Sequence, residues 1–434
     1  MAEKDPARRI LCRPVSYIVE FAPDARSLFI KLKQNSPIKN TGHPTMQSQT
    51  RRIIGLSAAF AAALNGSMVM PLIVMSLTRI AGITESTATL IASAEIGGIA
   101  LYCLLLPRLV KQGHFKVAIG GVLALVLGEL LTHFVDGIGT LTLTRLLTGL
   151  GEGALFSLIT HDVAAEPEAE RIWGVINLVG GVCMGLLLYF LSTLNPENGR
   201  GPIFLWLAAF GLLLSPLILL IRPKTEQEEQ AKKPVLLPKP MVTLILFVIF
   251  LIYGVQAGQW AVSGFMGELS KIPAVTVGLF LALSSIAGFV GAIVPALTRN
   301  PQHRLRWVTL GLIIMATALY IFFNIRGDNA FLYGQILVNI GFYIVTPFMT
   351  GLLTESDKDG VLVMRTLIIA MLGAGVCTAL TGELFADGGP HQFSYIVIGV
   401  VLVVLLCAVK VFHWTLGKAG SSDSVAAEVS ANRK

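Results

Sequence analysis

The residues that could do chemistry sit where so apolar a chain can least accommodate them. In LTLTRLLTGLGEGALFS, residues 141–157, an arginine and a glutamate interrupt an apolar run. A charged side chain near the centre of a bilayer costs at least about 2.5–3.5 kcal/mol on insertion scales, so two in one span mark a functional helix. Arg145, Gly149, Glu152 and Gly153 follow at spacings of four, three and one, which places them on one helical face. That face is expected to look into protein or water. Glu95 lies in another apolar run, with Gly98 and Tyr102 on its face. A carboxylate beside an arginine in a low-dielectric site is suited to taking up and releasing a proton, so Glu152, Glu95 and Arg145 are the expected proton-coupling set. Glu129 and Glu383 fall near the ends of their apolar runs and are expected to reach water instead.

Uncharged polar residues form a second group. Asn65 interrupts the first apolar run; Tyr253, Gln256 and Trp260 recur at offsets of three and seven; Gln335, Asn339 and Tyr343 recur at offsets of four and eight. These spacings align each set on a helical face, and all seven are candidate substrate-binding residues. Two plainer roles stay open. Amides inside membrane helices also form interhelical hydrogen bonds worth about 0.6 kcal/mol on average, and Tyr253 and Trp260 could belong to an interfacial aromatic belt. A third group is charged and lies in connectors: Arg108, Lys111 and Lys116 after one span, Asp162 and Glu166 after another. On one side of a membrane they could form a cytoplasmic gate of ion pairs, although an exposed pair is worth only about 0–1 kcal/mol.

The elements that must position these residues follow from composition. Of 434 residues, 54% are hydrophobic and 14% charged, against about 25% charged in a soluble domain, and the mean hydropathy is +0.73. The chain is expected to be an all-α polytopic membrane protein with twelve spans, each of roughly 20 apolar residues. Six precede the charged, proline-containing stretch at 222–240 and six follow it, giving halves at 51–221 and 241–417. Residues 1–50 form a basic N-terminal extension expected to be cytoplasmic, with Met46 as an alternative start, and residues 418–434 an expected disordered tail. Basic loop residues concentrate on the side of Arg52, Arg108, Arg222 and Arg304 and are sparse on the side of Arg79 and Arg200. That asymmetry predicts cytoplasmic termini and a plasma or inner-membrane location.

With this organisation in view, the chain resembles the major facilitator superfamily. RLLTGLGEG at Arg145–Gly153 matches the family's arginine and glycine-rich fourth helix. Lys111, Gly113, His114 and Lys116 keep the basic end of its loop between helices two and three, with Val110 where an aspartate is usual. GVINLVGGVCMG, from Gly174 to Gly185, keeps glycines but lacks the proline of the antiporter pattern in helix five; its glycines are read as packing positions. The resemblance implies halves built as inverted 3+3 repeats, a transport path lined by helices one, four, seven and ten, and alternating access. The expected function is secondary transport of a small organic solute, not an enzymatic reaction, driven by a proton gradient, without a cofactor and by a monomer. Drug or metabolite efflux by proton antiport is the alternative.

A polytopic membrane enzyme is the remote alternative, because His161 and Asp162 complete no catalytic constellation. No GxxxxGK[ST] loop argues for ATP and no HExxH for a metal. Five scattered cysteines show no disulfide framework, and dispersed basic residues give no nucleic-acid patch.

Overall fold

The computed structural model describes residues 46–80, 82–109, 114–164, 169–194, 202–221, 237–298, 300–357 and 361–431. The chain divides into two units, Met1–Gln49 and Thr50–Lys434. Of the first, only residues 46–49 are described, as helix. Most of the expected linker, Lys111 and Glu166 lie outside the described residues.

Every described regular element is helical. The N-terminal half contains α1 (Met46–Ala63), α2 (Asn65–Thr78), α3 (Glu85–Leu109), α4 (His114–Phe134), α5 (Ile138–Ala164), α6 (Ala169–Thr193) and α7 (Ile203–Ile218). The C-terminal half contains α8 (Lys239–Ala261), α9 (Ser263–Leu269), α10 (Ala274–Leu297), α11 (Pro301–Asn324), α12 (Asp328–Ser356) and α13 (Val361–Ala431). Among the described residues nine helical stretches are long and apolar enough to cross a membrane. The last, Leu362–Thr415, is long enough for two crossings. It turns at Gly389, whose φ of 65° and ψ of −179° lie where a side chain would be strained. With α5, which its charges keep below the hydropathy of the others, and the shorter apolar α7, the crossings number twelve.

The first crossing of each half is broken at corresponding places. Leu64 separates α1 from α2 with φ −112° and ψ 13°, and Val262 separates α8 from α9 with φ −91° and ψ 2°. Neither break is at proline. Helix α5 packs against both α3 and α4, and α12 packs in the same way against α10 and α11. The halves meet along α3 with α13 and α6 with α10. Small residues set the spacing: a Cβ on Gly149 would run into the Glu95 backbone, and one on Gly153 would come within 2.8–2.9 Å of Tyr102 and Ile99. Gly180 and Gly181 likewise face Phe60 and Phe289, which agrees with close packing by small residues.

At the C-terminus α13 runs as helix to Ala431.

Candidate functional site

Two sites emerge, and they are separate. The first is a charge cluster inside the N-terminal half. Arg145 on α5 donates through Nη1 to Glu129 Oε2 on α4 at 2.8 Å and through Nη2 to Glu95 Oε2 on α3. Its guanidinium carbon lies 5.5 Å from the centre of the Phe204 ring on α7. Two turns along α5, Glu152 Oε1 accepts from the backbone N–H of Gly66 at 2.8 Å. Arg145, Glu95, Glu129 and Glu152 all have 0% exposure. Glu95 Oε1, Glu129 Oε1, Glu152 Oε2 and Arg145 Nε have no hydrogen-bond partner among the described residues.

One expectation is corrected here. Glu129 does not reach water; it is wholly buried against Arg145. Arg145 bonds to Glu95 and Glu129, whereas Glu152 bonds to the backbone beside the break in the first crossing. The geometry of the helical hairpin explains Glu129. The turn between α4 and α5 ends at the bend of Gly137, and residues 129 and 145 stand eight positions to either side of that glycine, hence level across the pair. The Thr132–Thr144 hydrogen bond of 2.9 Å ties the same two helices nearer the turn.

The second site is a cavity of about 180 Å³ between the halves. Tyr253, Gln256 and Trp260 on α8 and Asn339 and Tyr343 on α12 line it. The spacing-based choice thus falls on its wall for five of the seven uncharged candidates. The other two lie elsewhere: Asn65 donates to the Leu207 carbonyl of α7 at 3.2 Å, and Gln335 is bonded to Gln259 at 2.6 Å, both fully buried within their own halves. Gln335 stands seven residues after the start of α12, as Arg145 stands seven after the start of α5, so the Gln335–Gln259 pair is an uncharged counterpart of the cluster.

Helix α5 contributes no residue to this cavity among those described, contrary to the expected lining by helices one, four, seven and ten. Its polar face is consumed by α3, α4 and the Leu64 break. Residues of α3, α6, α10 and α13 take part in the lining instead, including Ile96, Met184, Ser285, Phe289 and Met371. The wall is mostly apolar and aromatic. Tyr253 and Phe342 meet edge to face at 5.1 Å, and Phe289 and Tyr343 lie 5.0 Å apart. No described lining residue is charged.

The two sites touch through the broken first crossing. Gly66 holds the Glu152 bond, its neighbours Leu64, Ser67 and Met68 line the cavity, and the Met68 carbonyl accepts from Trp260 Nε1 of the other half at 3.2 Å. Gly66 is required by contact, because a Cβ there would overlap the Glu95 carboxylate. From this level to the Arg79 side the halves remain joined: Gly264 packs on Pro71 and Met75, Ser86 bonds to Glu383, and Arg79 lies 4.0 Å from Glu268.

On the Arg52 side, charged groups pair inside one half. Asp162 is 3.4 Å from Arg52 Nη2 and 3.2 Å from His114 Nε2, and Arg304 binds Glu355 at 2.8 Å. Of the expected gate, Lys116 is exposed, Arg108 lies in α3 with its side chain outside the described residues, and Asp162 takes Arg52 and His114 as partners. The sequence reading missed Arg52 and His114 because it paired neighbouring connectors and left out the start of the first crossing.

Two six-helix halves, an apolar cavity at their junction and a broken first helix in each half define a polytopic membrane transporter. The chain belongs to the Major Facilitator Superfamily, whose family model matches residues 55–362. It is a transporter and not an enzyme. A uridine/deoxyuridine transporter of Lactococcus lactis subsp. cremoris (strain MG1363) is 26% identical over 357 residues, covering 78% of this chain and 72% of that one. Among solved structures the fold is similar to the nucleoside transporter NupG, with a TM-score of 0.65 and 12% identity over 83% of this chain and 99% of that one. It is similar also to the human organic anion transporter MFSD10, at TM-score 0.64 and 13% identity over 84% of this chain and 100% of that one. At such identities the structural likeness is one of fold.

Proposed function

We propose that this transporter carries a neutral, nucleoside-like solute by alternating access, and that protons exchanging at the buried carboxylates drive it. The separation of the two sites carries this reading. The described cavity wall offers aromatic rings, amides and hydroxyls but no charge, which suits a neutral planar solute over an organic ion. The 26% identical relative that transports uridine and deoxyuridine supports the same class.

The driving site lies beside the cavity. Three carboxylates face one guanidinium, so the fully ionised cluster would carry one positive and three negative charges, a net of −2, at 0% exposure. Uncompensated charge is expensive in such surroundings, and proton uptake relieves it. Ionised Glu152 is the stronger acceptor for the Gly66 N–H. A proton on Glu152 weakens that hold and loosens residues 64–68, which line the cavity and receive the Trp260 bond. Loading of the cluster is thereby linked to the contact between the halves. With the Arg52 side cytoplasmic, as the basic residues argue, the joined Arg79 side corresponds to closure toward the exterior.

The test is accumulation of labelled uridine in proteoliposomes under an imposed pH gradient. Glu152→Gln keeps an acceptor for Gly66 but does not titrate; it is expected to abolish gradient-driven accumulation and to retain uridine exchange at zero gradient. Accumulation by the variant at the wild-type level overturns the proton assignment.

A further inference from the structure

Two neighbouring amides on the cavity wall, one on α8 and one on α12, are only half satisfied. Gln256 Nε2 donates to Asn339 Oδ1 at 2.7 Å, which leaves Gln256 Oε1 and Asn339 Nδ2 without a partner among the described residues. Asn339 is 5% exposed, and both residues line the cavity. Exchanging oxygen and nitrogen in both amides reverses the bond between them, yet it still leaves one carbonyl oxygen and one NH₂ group unused. The pair therefore keeps one acceptor and one donor unused at the cavity wall whichever way it is oriented.

A buried polar group without a partner costs about 1–3 kcal/mol, so a ligand that completes both amides is strongly preferred over one that completes neither. The complement is a neutral group with a donor and an acceptor on adjacent atoms, held in one plane. Tyr253, Phe342, Tyr343 and Phe289 form a continuous run of aromatic contacts along the wall, with the Phe342 and Tyr343 rings 5.4 Å apart, and supply surface for a flat ring. We infer that Gln256 and Asn339 read the N–H and adjacent carbonyl of a cyclic imide, as on the N3–O4 edge of a uracil-type base, with the unused carbonyl oxygen accepting from the ring N–H and the unused NH₂ donating to the ring carbonyl. This rests on the nucleoside reading and deepens it by assigning the edge recognised and the residues that recognise it. The sugar is left to the remaining polar groups of the wall.

The test compares uridine with 3-methyluridine, in which a methyl group replaces the N3 hydrogen while ring, sugar and charge are retained. Binding to the purified full-length protein in lipid nanodiscs is measured by calorimetry. Wild-type protein is expected to bind 3-methyluridine at least about tenfold more weakly than uridine, since one hydrogen bond is lost and an acceptor is left buried. Asn339→Leu and Gln256→Leu are each expected to weaken uridine, and Gln256→Leu, which removes the unused carbonyl oxygen that accepts from the ring N–H, is expected to bring the two ligands to within about twofold of each other. Equal binding of the two ligands by the wild type overturns the amide assignment and leaves the nucleoside reading standing. Binding of neither overturns both. The wild-type comparison decides the matter even where a variant fails to fold.

Discussion

Removal of the guanidinium at position 145 offers a quantitative test of the charge cluster. In Arg145→Met the ion pairs to Glu95 and Glu129 are lost together with the contact over Phe204, in a region with 0% exposure. Breaking a buried pair by deleting one partner costs about 3–5 kcal/mol, because the other charge is left uncompensated. The formal charge of the ionised set moves from −2 to −3, and the protein can lower that cost only by binding protons. Changing Glu129→Gln in the same background returns the formal charge to −2 and leaves a neutral hydrogen-bonding group in place. The double variant should therefore recover most of the stability lost in Arg145→Met. The part not recovered is the cation–π contact with Phe204, worth about 0.5–2 kcal/mol. The assay is a double-mutant cycle by thermal unfolding in detergent at fixed pH, with Glu129→Gln alone as the fourth corner. If Arg145→Met melts with the wild type, or if the two substitutions add without coupling, the cluster is not held by compensation between these groups.

Other outcomes follow from the joint between the two sites. Gly66→Ala places a Cβ into the Glu95 carboxylate and should abolish transport or folding, whereas Gly97→Ala, whose Cβ meets nothing within 4 Å, should be near neutral in the same uptake assay. Trp260→Phe keeps the ring and removes the bond to the Met68 carbonyl. An interhelical hydrogen bond of about 0.6 kcal/mol corresponds to about a threefold population shift. Distance measurements between labels on the Arg79 side should accordingly show the more open state gaining by about that factor, and an unchanged distribution would count against the bond as a gate contact.

Much of the fold was legible because its determinants are local. Apolar runs, proline and glycine at connectors, and the composition change near residue 222 locate the crossings without knowledge of their neighbours. Arg145, Glu95 and Glu152 were legible for the same reason, since their burial cost is a property of the run that contains them. Glu129 was not, because its depth was judged along its own helix. Its partner is fixed by the turn at Gly137, and equal distances from that turn were a usable signal.

The division of labour among polar residues was less accessible. Asn65 and Gln335 sit in the same kind of helix as Gln256 and Asn339 and carry the same chemistry. Only packing decides that the first pair bonds within a half while the second borders the cavity. The absence of α5 from the described wall has the same origin: its polar groups find partners on α3, α4 and at the first break before they can face the solute path.

The central claim is that a neutral solute moves together with protons that are bound away from it. Current recorded from proteoliposomes on a solid-supported membrane tests this most directly, because uridine carries no charge. Addition of uridine is predicted to produce a current that the pH gradient enlarges or reverses, and that Glu152→Gln eliminates while exchange of labelled uridine persists. Uridine exchange with no charge movement in the wild-type protein would contradict the account.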